Sequence, residues 1–392
     1  MIGIILFGGT GSIGKQTLEI INNKEYKLLA FTFNNNISTA LNIIQEYKPF
    51  VVGVSNLIYE KEIHSLDSSI NVYENSHVND ILNYDYSHHL ELEKILYINA
   101  LSGSAGLYPT YEIINQGHDL LLANKESLVM AGSIIMNLAK ERNVNIIPID
   151  SEHNGLQKIL LGKDKKDVNA LIITASGGAL RDVKLEDLKD VKAADALKHP
   201  NWLMGKDITI NCATMMNKGY EVIEACHLFN MDIDKVKVLV HKESIVHALV
   251  EFNDGTIEAN LGTADMRNPI SFAVNYPHFV DNNLTKLDLI KVASLNFKEL
   301  DLNRYPCFNL AITAYKLGGY YPTILNAANE AAVKLFLNDE INYLDIYHIV
   351  RNMLDNHNNY QITKENLSIE NIIELDKQIQ NDVFKLKKGC EQ

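Results

Sequence analysis

Short apolar runs alternate with segments of helical periodicity through the first 150 residues. The runs that predict buried strands are residues 2–7, 26–33, 50–54, 95–100, 120–122 and 144–149. Apolar residues recur at helical spacing between them, in segments 15–22, 37–47 and 128–140. This alternation predicts an α/β fold with a parallel, doubly wound, Rossmann-like sheet. Ligands bind such sheets beyond the carboxyl ends of the strands.

The pattern changes after residue 150. Strands are predicted at 171–175, 237–240, 245–252 and 257–261, and Asp254-Gly255 is a hairpin turn signal. These features predict a central α+β domain, whose sheet can also pair across a dimer. Helical periodicity returns in residues 309–317, 327–337 and 344–354. The predicted organisation is a nucleotide-binding domain (1–150), a central catalytic domain (151–281) with a flap (195–206), a linker (282–306) and a C-terminal helical domain (307–392).

Composition narrows the class of protein. The 392 residues are 46% hydrophobic and 22% charged, as in ordinary globular proteins. A net charge of −13 argues against general binding to nucleic acid or anionic membranes. The first strand begins at Ile2, which leaves no room for a signal or transit peptide, and no apolar run is long enough for a membrane helix. The four scattered cysteines, without a C-x-x-C pair, predict free thiols in a reducing cytosol.

A glycine-rich turn follows the first strand. Residues 9–14 fit G-x-G-x-x-G and stand between a strand and a helix, the context in which this motif binds the pyrophosphate of a dinucleotide. The alternative is an ordinary glycine-rich turn. The second strand ends in Asn34-Asn35-Asn36. The missing acidic residue favours NADP over NAD, but no Arg or Lys is present to hold its 2′-phosphate.

Asp150, Ser151 and Glu152 follow the strand at 144–149. In an extended backbone the two carboxylates would point to the same side. Oxygen ligands of this kind suit a magnesium or manganese ion. The alternative is that Asp150 or Ser151 caps the following helix. Glu221 is a candidate third carboxylate, and Glu224 is its rival on the same helix.

Other polar segments are candidates for binding, each with a structural alternative. Lys125-Glu126 stands at a strand end where a nicotinamide ring could lie, or is a surface ion pair. Ser176-Gly177-Gly178 suits an anion, or is an ordinary turn. The irregular segment around Trp202, the only tryptophan, suits a lid or a static loop. Asn217 and Lys218 would present donors to a phosphate at a helix N-terminus.

Six motifs, taken together, resemble one family: the 1-deoxy-D-xylulose 5-phosphate reductoisomerases of the non-mevalonate isoprenoid pathway. The resemblance extends over nearly the whole chain. The motifs are Gly9-Thr10-Gly11-Ser12-Ile13-Gly14, Leu122-Ala123-Asn124-Lys125-Glu126-Ser127, Asp150-Ser151-Glu152-His153-Asn154, His199-Pro200-Asn201-Trp202, Ala213-Thr214-Met215-Met216-Asn217-Lys218-Gly219 and Leu325-Asn326-Ala327-Ala328-Asn329-Glu330.

The resemblance implies a two-stage reaction on a small phosphorylated sugar. One divalent ion per subunit, Mg²⁺ or Mn²⁺, chelates the ketone and the adjacent hydroxyl of the substrate. As a Lewis acid it stabilises enolate charge while the C3–C4 bond breaks and the fragments rejoin. The rearranged aldehyde then takes a hydride from NADPH to give 2-C-methyl-D-erythritol 4-phosphate. The resemblance also implies a cytoplasmic homodimer.

The resemblance assigns roles residue by residue. The metal ligands are Asp150, Glu152 and Glu221. The catalytic residues are Lys125 and Glu152. The residues that contact the substrate are Lys125, Ser151, Glu152, Ser176, His199, Trp202, Cys212, Asn217, Lys218 and Glu221. The residues that contact the cofactor are Thr10, Gly11, Ser12, Ile13, Asn34, Asn35, Asn36, Asn124, Glu126 and Gly205.

Two positions depart from the family pattern. Cys212 stands where the family usually has serine, and a thiol donates only a weak hydrogen bond, so phosphate binding would weaken by about 1 kcal/mol. Asn35 stands where many members have a lysine or another donor for the 2′-phosphate. That difference puts strict NADPH preference in doubt.

Two other functions are compatible with a dinucleotide-binding scaffold. One is a non-catalytic dinucleotide-binding or redox-sensing protein. The presence of Asp150, Glu152, Glu221, Lys125 and the His199 segment in one chain speaks against it. The other is a related NADP-linked dehydrogenase without the isomerisation, which would not need the metal carboxylates.

Overall fold

The structure, a computed structural model, describes residues 1–75, 77–88, 91–202, 204–360 and 367–389. The chain forms two compact units. The first unit comprises residues 1–124, 135–150 and 266–284, and the second comprises residues 125–134, 151–265 and 285–392. Leu203 of the predicted flap and Cys390 lie outside the described residues.

The strands, in chain order, are β1 (Ile2–Phe7), β2 (Tyr26–Phe33), β3 (Val51–Val54), β4 (Asn71–Glu74), β5 (Lys94–Asn99), β6 (Leu120–Leu122), β7 (Ile146–Pro148), β8 (Val168–Ala175), β9 (Val236–Val240), β10 (Val246–Phe252), β11 (Ile257–Leu261) and β12 (Lys298–Glu299).

The α-helices are α1 (Ser12–Ile21), α2 (Ile37–Tyr47), α3 (Glu60–Leu66), α4 (Val78–Leu82), α5 (Leu107–Asn115), α6 (Lys125–Arg142), α7 (Ser151–Leu160), α8 (Ala193–Ala196), α9 (Lys206–Thr214), α10 (Met216–Phe229), α11 (Arg267–Val274), α12 (Leu289–Val292), α13 (Pro306–Leu317), α14 (Tyr321–Leu337), α15 (Asp345–Asp355) and α16 (Ile369–Gly389).

The first unit is built on a parallel sheet of seven strands in the order β4-β3-β2-β1-β5-β6-β7. The predicted α/β class and the parallel, doubly wound sheet are confirmed. Strand order reverses between β1 and β5, and this reversal opens the crevice in which such sheets bind ligands. The periodicity gave no signal for β4, whose four residues are all only half-buried. Central strands such as β1 read as continuous apolar runs because both of their faces are covered.

The turn after β1 requires glycine at two points. Gly8 has φ +91°, a conformation that side chains rarely adopt. A Cβ on Gly14 would lie 2.3 Å from the carbonyl oxygen of Gly8, so only glycine lets α1 start this close to the turn. The turn is tied to β2 by Gly8 N, which donates to Thr32 Oγ1 at 2.9 Å, and by Gly9 N, which donates to Thr32 O at 2.9 Å.

Residues 266–284 return to the first unit late in the chain. Their helix α11 contacts α1, and Arg267 pairs with Glu19 at 3.2 Å. Ile270 and Ala273 of α11 join the same buried apolar cluster as the strands. Residues 266–281 fall within the range predicted for the central domain and residues 282–284 within the predicted linker, and the predicted domain boundaries remain a prediction.

The second unit contains a mixed sheet of five strands in the order β11-β10-β8-β9-β12. The predicted hairpin is present as antiparallel β10 and β11, and Gly255 in its turn has φ +85°. Helices α7 and α10 pack on this sheet through Leu156, Val222 and their neighbours. The segment 282–306, predicted as a linker, contributes the short strand β12, which pairs with β9.

Helices α13 to α16 form the C-terminal part of the second unit. Helix α14 contacts α9, α13, α15 and α16. It is buried around most of its circumference, including Leu325, Ala328 and Ala332. No helix among the described residues is long and apolar enough to span a membrane.

Candidate active site

Three carboxylates meet at the start of α7. Asp150 directly precedes this helix, Glu152 lies in its first turn, and Glu221 lies on α10. One oxygen from each lies within 4.8 Å of the others. The expectation of an extended backbone at 150–152 is wrong, because α7 begins at Ser151. The carboxylates of Asp150 and Glu152 still lie close together. Asp150 precedes the helix, so helical geometry does not fix the direction of its side chain relative to Glu152.

Two buried lysines lie among these carboxylates. Lys125 donates to Glu221 Oε1 at 3.0 Å and to Asn217 Oδ1 at 2.8 Å. Lys218 donates to Glu152 Oε1 at 2.6 Å and also pairs with Glu221. Three formal negative charges therefore face two formal positive charges. The excess negative charge favours binding of a hard cation. Oxygen-only carboxylate donors fit a divalent ion of the magnesium type.

His153 separates the two candidate glutamates of α10. Its Nε2 donates to the backbone oxygen of Glu221 at 2.8 Å, and its Nδ1 lies 3.2 Å from Glu224 Oε2. Glu224 is therefore paired with His153. The structure places Glu221, and not Glu224, in the carboxylate cluster. His153 stood in a recognised motif, but the sequence gave no signal for this contact.

The turn Ser176-Gly177-Gly178 follows β8 and has an unusual backbone. Gly177 has φ +88° and Gly178 has φ +71°, and both values require glycine. A Cβ on Gly178 would lie 2.5 Å from the carbonyl oxygen of Cys212. The turn thus packs directly against the end of α9, where Cys212 lies.

His199 is held in one tautomer by its neighbours. Its Nδ1 accepts from Trp202 N at 3.0 Å and from Asn201 N at 3.3 Å. The ring proton therefore sits on Nε2, which donates to Ser176 Oγ at 2.9 Å. Burial lowers the pKa of His199 to about 4, and the nearby Arg181 contributes in the same direction. His199 is accordingly a neutral donor at physiological pH.

Ser176 is oriented as a hydrogen-bond donor. Its Oγ accepts from His199 Nε2 and from Gly178 N, the latter at 3.2 Å. Both lone pairs are then used, so the hydroxyl proton is left to bond to another acceptor. An anion oxygen is a suitable acceptor, because a donor fixed in advance loses little entropy on binding.

The segment that carries Trp202 is tied to the loop at 242–244. Asn201 Nδ2 donates to Lys242 O and to Ser244 Oγ, both at 2.7 Å. The ring of Trp202 lies 6.0 Å from that of His247. Asn201 belongs to the motif His199-Pro200-Asn201-Trp202, but the sequence assigned it no role. Its role in holding this segment follows only from the fold.

Cys212 and Asn217 lie on either side of the α9–α10 junction. Met215 between the helices has φ +65°, so the chain turns sharply there. Asn217 stands in the first turn of α10, as predicted, and the first turn of a helix is a common site for an anion. Burial raises the pKa of the Cys212 thiol to about 12, and Glu221 contributes. The thiol is therefore protonated at neutral pH.

The predicted cofactor residues lie at element ends. Residues 10–13 form the turn after β1 and the start of α1. Asn36 caps α2 by accepting from Thr39 N at 3.1 Å. Asn124 is fully buried and donates to the backbone oxygens of Leu101 and Gly103 at 3.0 and 2.9 Å. Glu126 is the second residue of α6 and Gly205 precedes α9, both in the second unit.

Family models and relatives cover nearly the whole chain. Three models match: 1-deoxy-D-xylulose 5-phosphate reductoisomerase over residues 4–132, its C-terminal domain over residues 146–229, and a DXP reductoisomerase C-terminal domain over residues 261–382. The 1-deoxy-D-xylulose 5-phosphate reductoisomerase of Macrococcus caseolyticus is 44% identical over 98% of this chain and 100% of its own length. The chain belongs to the 1-deoxy-D-xylulose 5-phosphate reductoisomerase family. The resemblance inferred from the six motifs is confirmed.

Other members of the family agree in sequence and fold. The enzyme of that name from Clostridium botulinum (strain Alaska E43) is 44% identical over 97% of this chain and 99% of its own. A crystal structure of DOX-P reductoisomerase in complex with NADPH, fosmidomycin and magnesium superposes with a TM-score of 0.92 at 33% identity, over 100% of both chains. The Zymomonas mobilis enzyme in complex with NADPH gives 0.87 at 32% identity, over 98% of both chains.

Proposed function

We propose that this chain converts 1-deoxy-D-xylulose 5-phosphate to 2-C-methyl-D-erythritol 4-phosphate in the non-mevalonate isoprenoid pathway. It is an NADPH-dependent oxidoreductase whose reaction needs a divalent metal ion. The observation that carries the proposal is the cluster of Asp150, Glu152 and Glu221 with Lys125 and Lys218, in a chain that aligns with family members over its whole length.

Asp150, Glu152 and Glu221 would hold the metal ion, either magnesium or manganese, one per subunit. Bound there, the ion supplies Lewis acidity to the oxygens of the substrate. Glu152 and Glu221 face lysine ammonium groups at hydrogen-bond distance, which limits carboxylate repulsion before an ion binds.

Lys125, Lys218 and Ser151 orient the carbonyl and hydroxyl oxygens of the substrate. The two lysines are almost fully buried, and electrostatic interactions are stronger where little water is present. Ser151 lies between Asp150 and Glu152 and donates to the Glu152 carboxylate. We propose Glu152 and Lys125 as the catalytic residues, the two closest to the reacting atoms.

The phosphate group is held by neutral donors. Ser176 contributes a side-chain donor from the turn after β8. His199, between α8 and α9, lies beside the phosphate and donates to Ser176 Oγ, which leaves the Ser176 hydroxyl proton for the phosphate. Asn217 contributes from the first turn of α10. Cys212 completes the set as a weak thiol donor. Trp202 belongs to the flap, which includes Met204 and excludes water when it closes.

The cofactor is NADPH. Its contacts are proposed at residues 10–13 in the turn after β1, at 34–36 after β2, and at Asn124, Glu126 and Gly205. The turn and the N-terminus of α1 suit a pyrophosphate, since the dipole and the first-turn N–H groups of a helix favour an anion. NADPH supplies the hydride for the reduction. The two rival functions, a non-catalytic dinucleotide sensor and a dehydrogenase without isomerisation, are not favoured.

Assembly and location complete the proposal. We place the chain in the cytoplasm as a homodimer, with the domain organisation given by the sequence pattern. Strand β11 supports the dimer, because it stands at the end of its sheet and Ile257 on it is 53% exposed. An apolar strand edge of this kind favours pairing with a second copy.

The assay is oxidation of NADPH with 1-deoxy-D-xylulose 5-phosphate, with and without magnesium. Metal-dependent turnover that yields 2-C-methyl-D-erythritol 4-phosphate supports the proposal. Well-folded protein that binds NADPH but shows no metal-dependent turnover would overturn it. Size-exclusion chromatography with light scattering tests the homodimer independently.

A further inference from the structure

Tyr305 contacts both backbone segments that carry the proposed phosphate donors. It directly precedes α13 and is 5% exposed. Its ring packs with Ala175, the last residue of β8, and with Met215, the residue between α9 and α10. Its hydroxyl donates to the backbone oxygen of Gly177 at 2.9 Å. A single side chain therefore joins the turn after β8 to the α9–α10 junction.

Both segments have backbone conformations that need external support. Gly177, Gly178 and Met215 all have positive φ, and residues in such conformations persist only where the surroundings hold them. The carbonyl of Gly177 is the group to which Tyr305 donates, so this bond fixes the orientation of the peptide between Gly177 and Gly178. That peptide carries the N–H that bonds to Ser176 Oγ.

The residue next to Tyr305 holds the rest of the same loop. Arg304 Nη2 donates to the backbone oxygen of Val183 at 2.5 Å and also to that of Leu180. Arg181 from the loop donates in turn to Ser176 O at 2.7 Å. Residues 304–305 thus fix the loop 176–183 at several carbonyl groups. Burial raises the pKa of Tyr305, so its hydroxyl keeps its proton and remains a donor across physiological pH.

We propose that Tyr305 is a positioning residue of the phosphate subsite. Through Gly177 it sets the direction of Gly178 N and Ser176 Oγ, and through its ring it sets the distance of this turn from Cys212 and Asn217. It acts through the turn and does not touch the substrate. The inference rests on the proposed function, in which this subsite takes the phosphate of the substrate.

Tyr305→Phe tests the proposal, because it removes the hydroxyl and keeps the packing of the ring. The KM for 1-deoxy-D-xylulose 5-phosphate and the dissociation constant of inorganic phosphate, measured by calorimetry, should both rise about fivefold, the worth of one hydrogen bond. The kcat and the affinity for Mn²⁺ should stay within about twofold, since one neutral hydrogen bond away from the carboxylates is lost.

Tyr86→Phe is the matched control. Tyr86 is also buried and donates through its hydroxyl to a backbone oxygen, that of Ile81, at 2.9 Å, but it lies in the first unit. It should lower the melting temperature as much as Tyr305→Phe does and leave phosphate binding unchanged. Unchanged phosphate binding in Tyr305→Phe, or equal changes in both variants, would overturn the proposal. The phosphate titration does not depend on turnover, so failure of the proposed reaction remains distinguishable.

Discussion

Glu224 Oε2 lies 3.2 Å from Nδ1 of His153, and both side chains are almost fully inaccessible to solvent. The opposite ring nitrogen, Nε2, donates to the backbone oxygen of Glu221 at 2.8 Å. A histidine of α7 therefore bridges two glutamates of α10. We therefore expect Glu224 to stabilise the fold and not to bind the metal ion.

Glu224→Gln should lower the free energy of unfolding by roughly 3 kcal/mol, because it leaves one partner of a buried pair unmatched. Affinity for Mn²⁺, measured by the paramagnetic signal of the free ion, should fall less than about tenfold, the lower end expected for groups around metal ligands. Glu221→Gln is the comparison, and it should lose far more affinity because it removes a ligand. Equal losses of Mn²⁺ affinity in the two variants would contradict these roles.

Glu152→Gln should abolish turnover and leave NADPH binding near that of the unmodified chain. The substitution removes one of the three carboxylates and the charge that faces Lys218 Nζ at 2.6 Å. NADPH binding by fluorescence titration and turnover with excess magnesium are the two measurements. Loss of both would show that Glu152 is needed for the structure.

Cys212→Ser should leave the KM for 1-deoxy-D-xylulose 5-phosphate equal or lower it by up to about fivefold. A hydroxyl donates a stronger hydrogen bond than a thiol, and one neutral bond is worth about 1 kcal/mol. Cys226→Ser serves as a control, because Cys226 is a buried thiol near the C-terminal end of α10, whereas Cys212 lies on α9. A large rise in KM for Cys212→Ser would show that the site is shaped specifically for sulfur.

Asn35→Lys should increase the preference for NADPH over NADH, measured as the ratio of kcat/KM for the two cofactors. The new ammonium group would stand directly after β2, where a 2′-phosphate is held in related sheets. Asn35→Gln adds length without charge and should leave the ratio unchanged. If the lysine variant also leaves it unchanged, the 2′-phosphate is held by other residues.

Stability should fall as the pH drops from about 6.5 towards 4. Burial lowers the pKa of His247 from the ordinary 6.5 to about 4, and it lowers the pKa of His227 to about 4 as well. The unfolded chain therefore binds more protons than the folded chain in this range, and proton binding favours unfolding. Urea unfolding followed by Trp202 fluorescence should show a shallower pH dependence in His247→Asn. An identical slope would mean that His247 is not neutral in the fold.

Much of the first unit could be predicted because its elements depend on local sequence. Segments 26–33 and 37–47 coincide with β2 and α2 at both ends. Continuous apolar strands and a glycine-rich turn are signals carried by neighbouring residues. Strand β12 gave no such signal, because its two exposed residues form a strand only through pairing with β9.

The candidate site likewise has features that the local sequence predicted and features that depend on tertiary contacts. The motifs of the chain identified the family, the residue types for a divalent ion and the position of Asn217 at a helix start. The sequence could not separate Glu221 from Glu224, because both lie on α10 and only their partners on other elements differ. The sequence also predicted an extended backbone at 150–152, which is wrong because α7 begins at Ser151. The residue types at 150–152 do not show at which residue the helix begins.

Residue identity therefore determined which chemical groups this protein has, and local periodicity determined most of its helices and strands. The tertiary structure alone decided which groups meet: Lys125 with Glu221, Ser176 with His199, and Tyr305 with Gly177. These partners lie far apart in sequence, and Tyr305 and Gly177 are separated by 128 positions. Contacts over such separations form only when whole elements pack, and no local pattern encodes them.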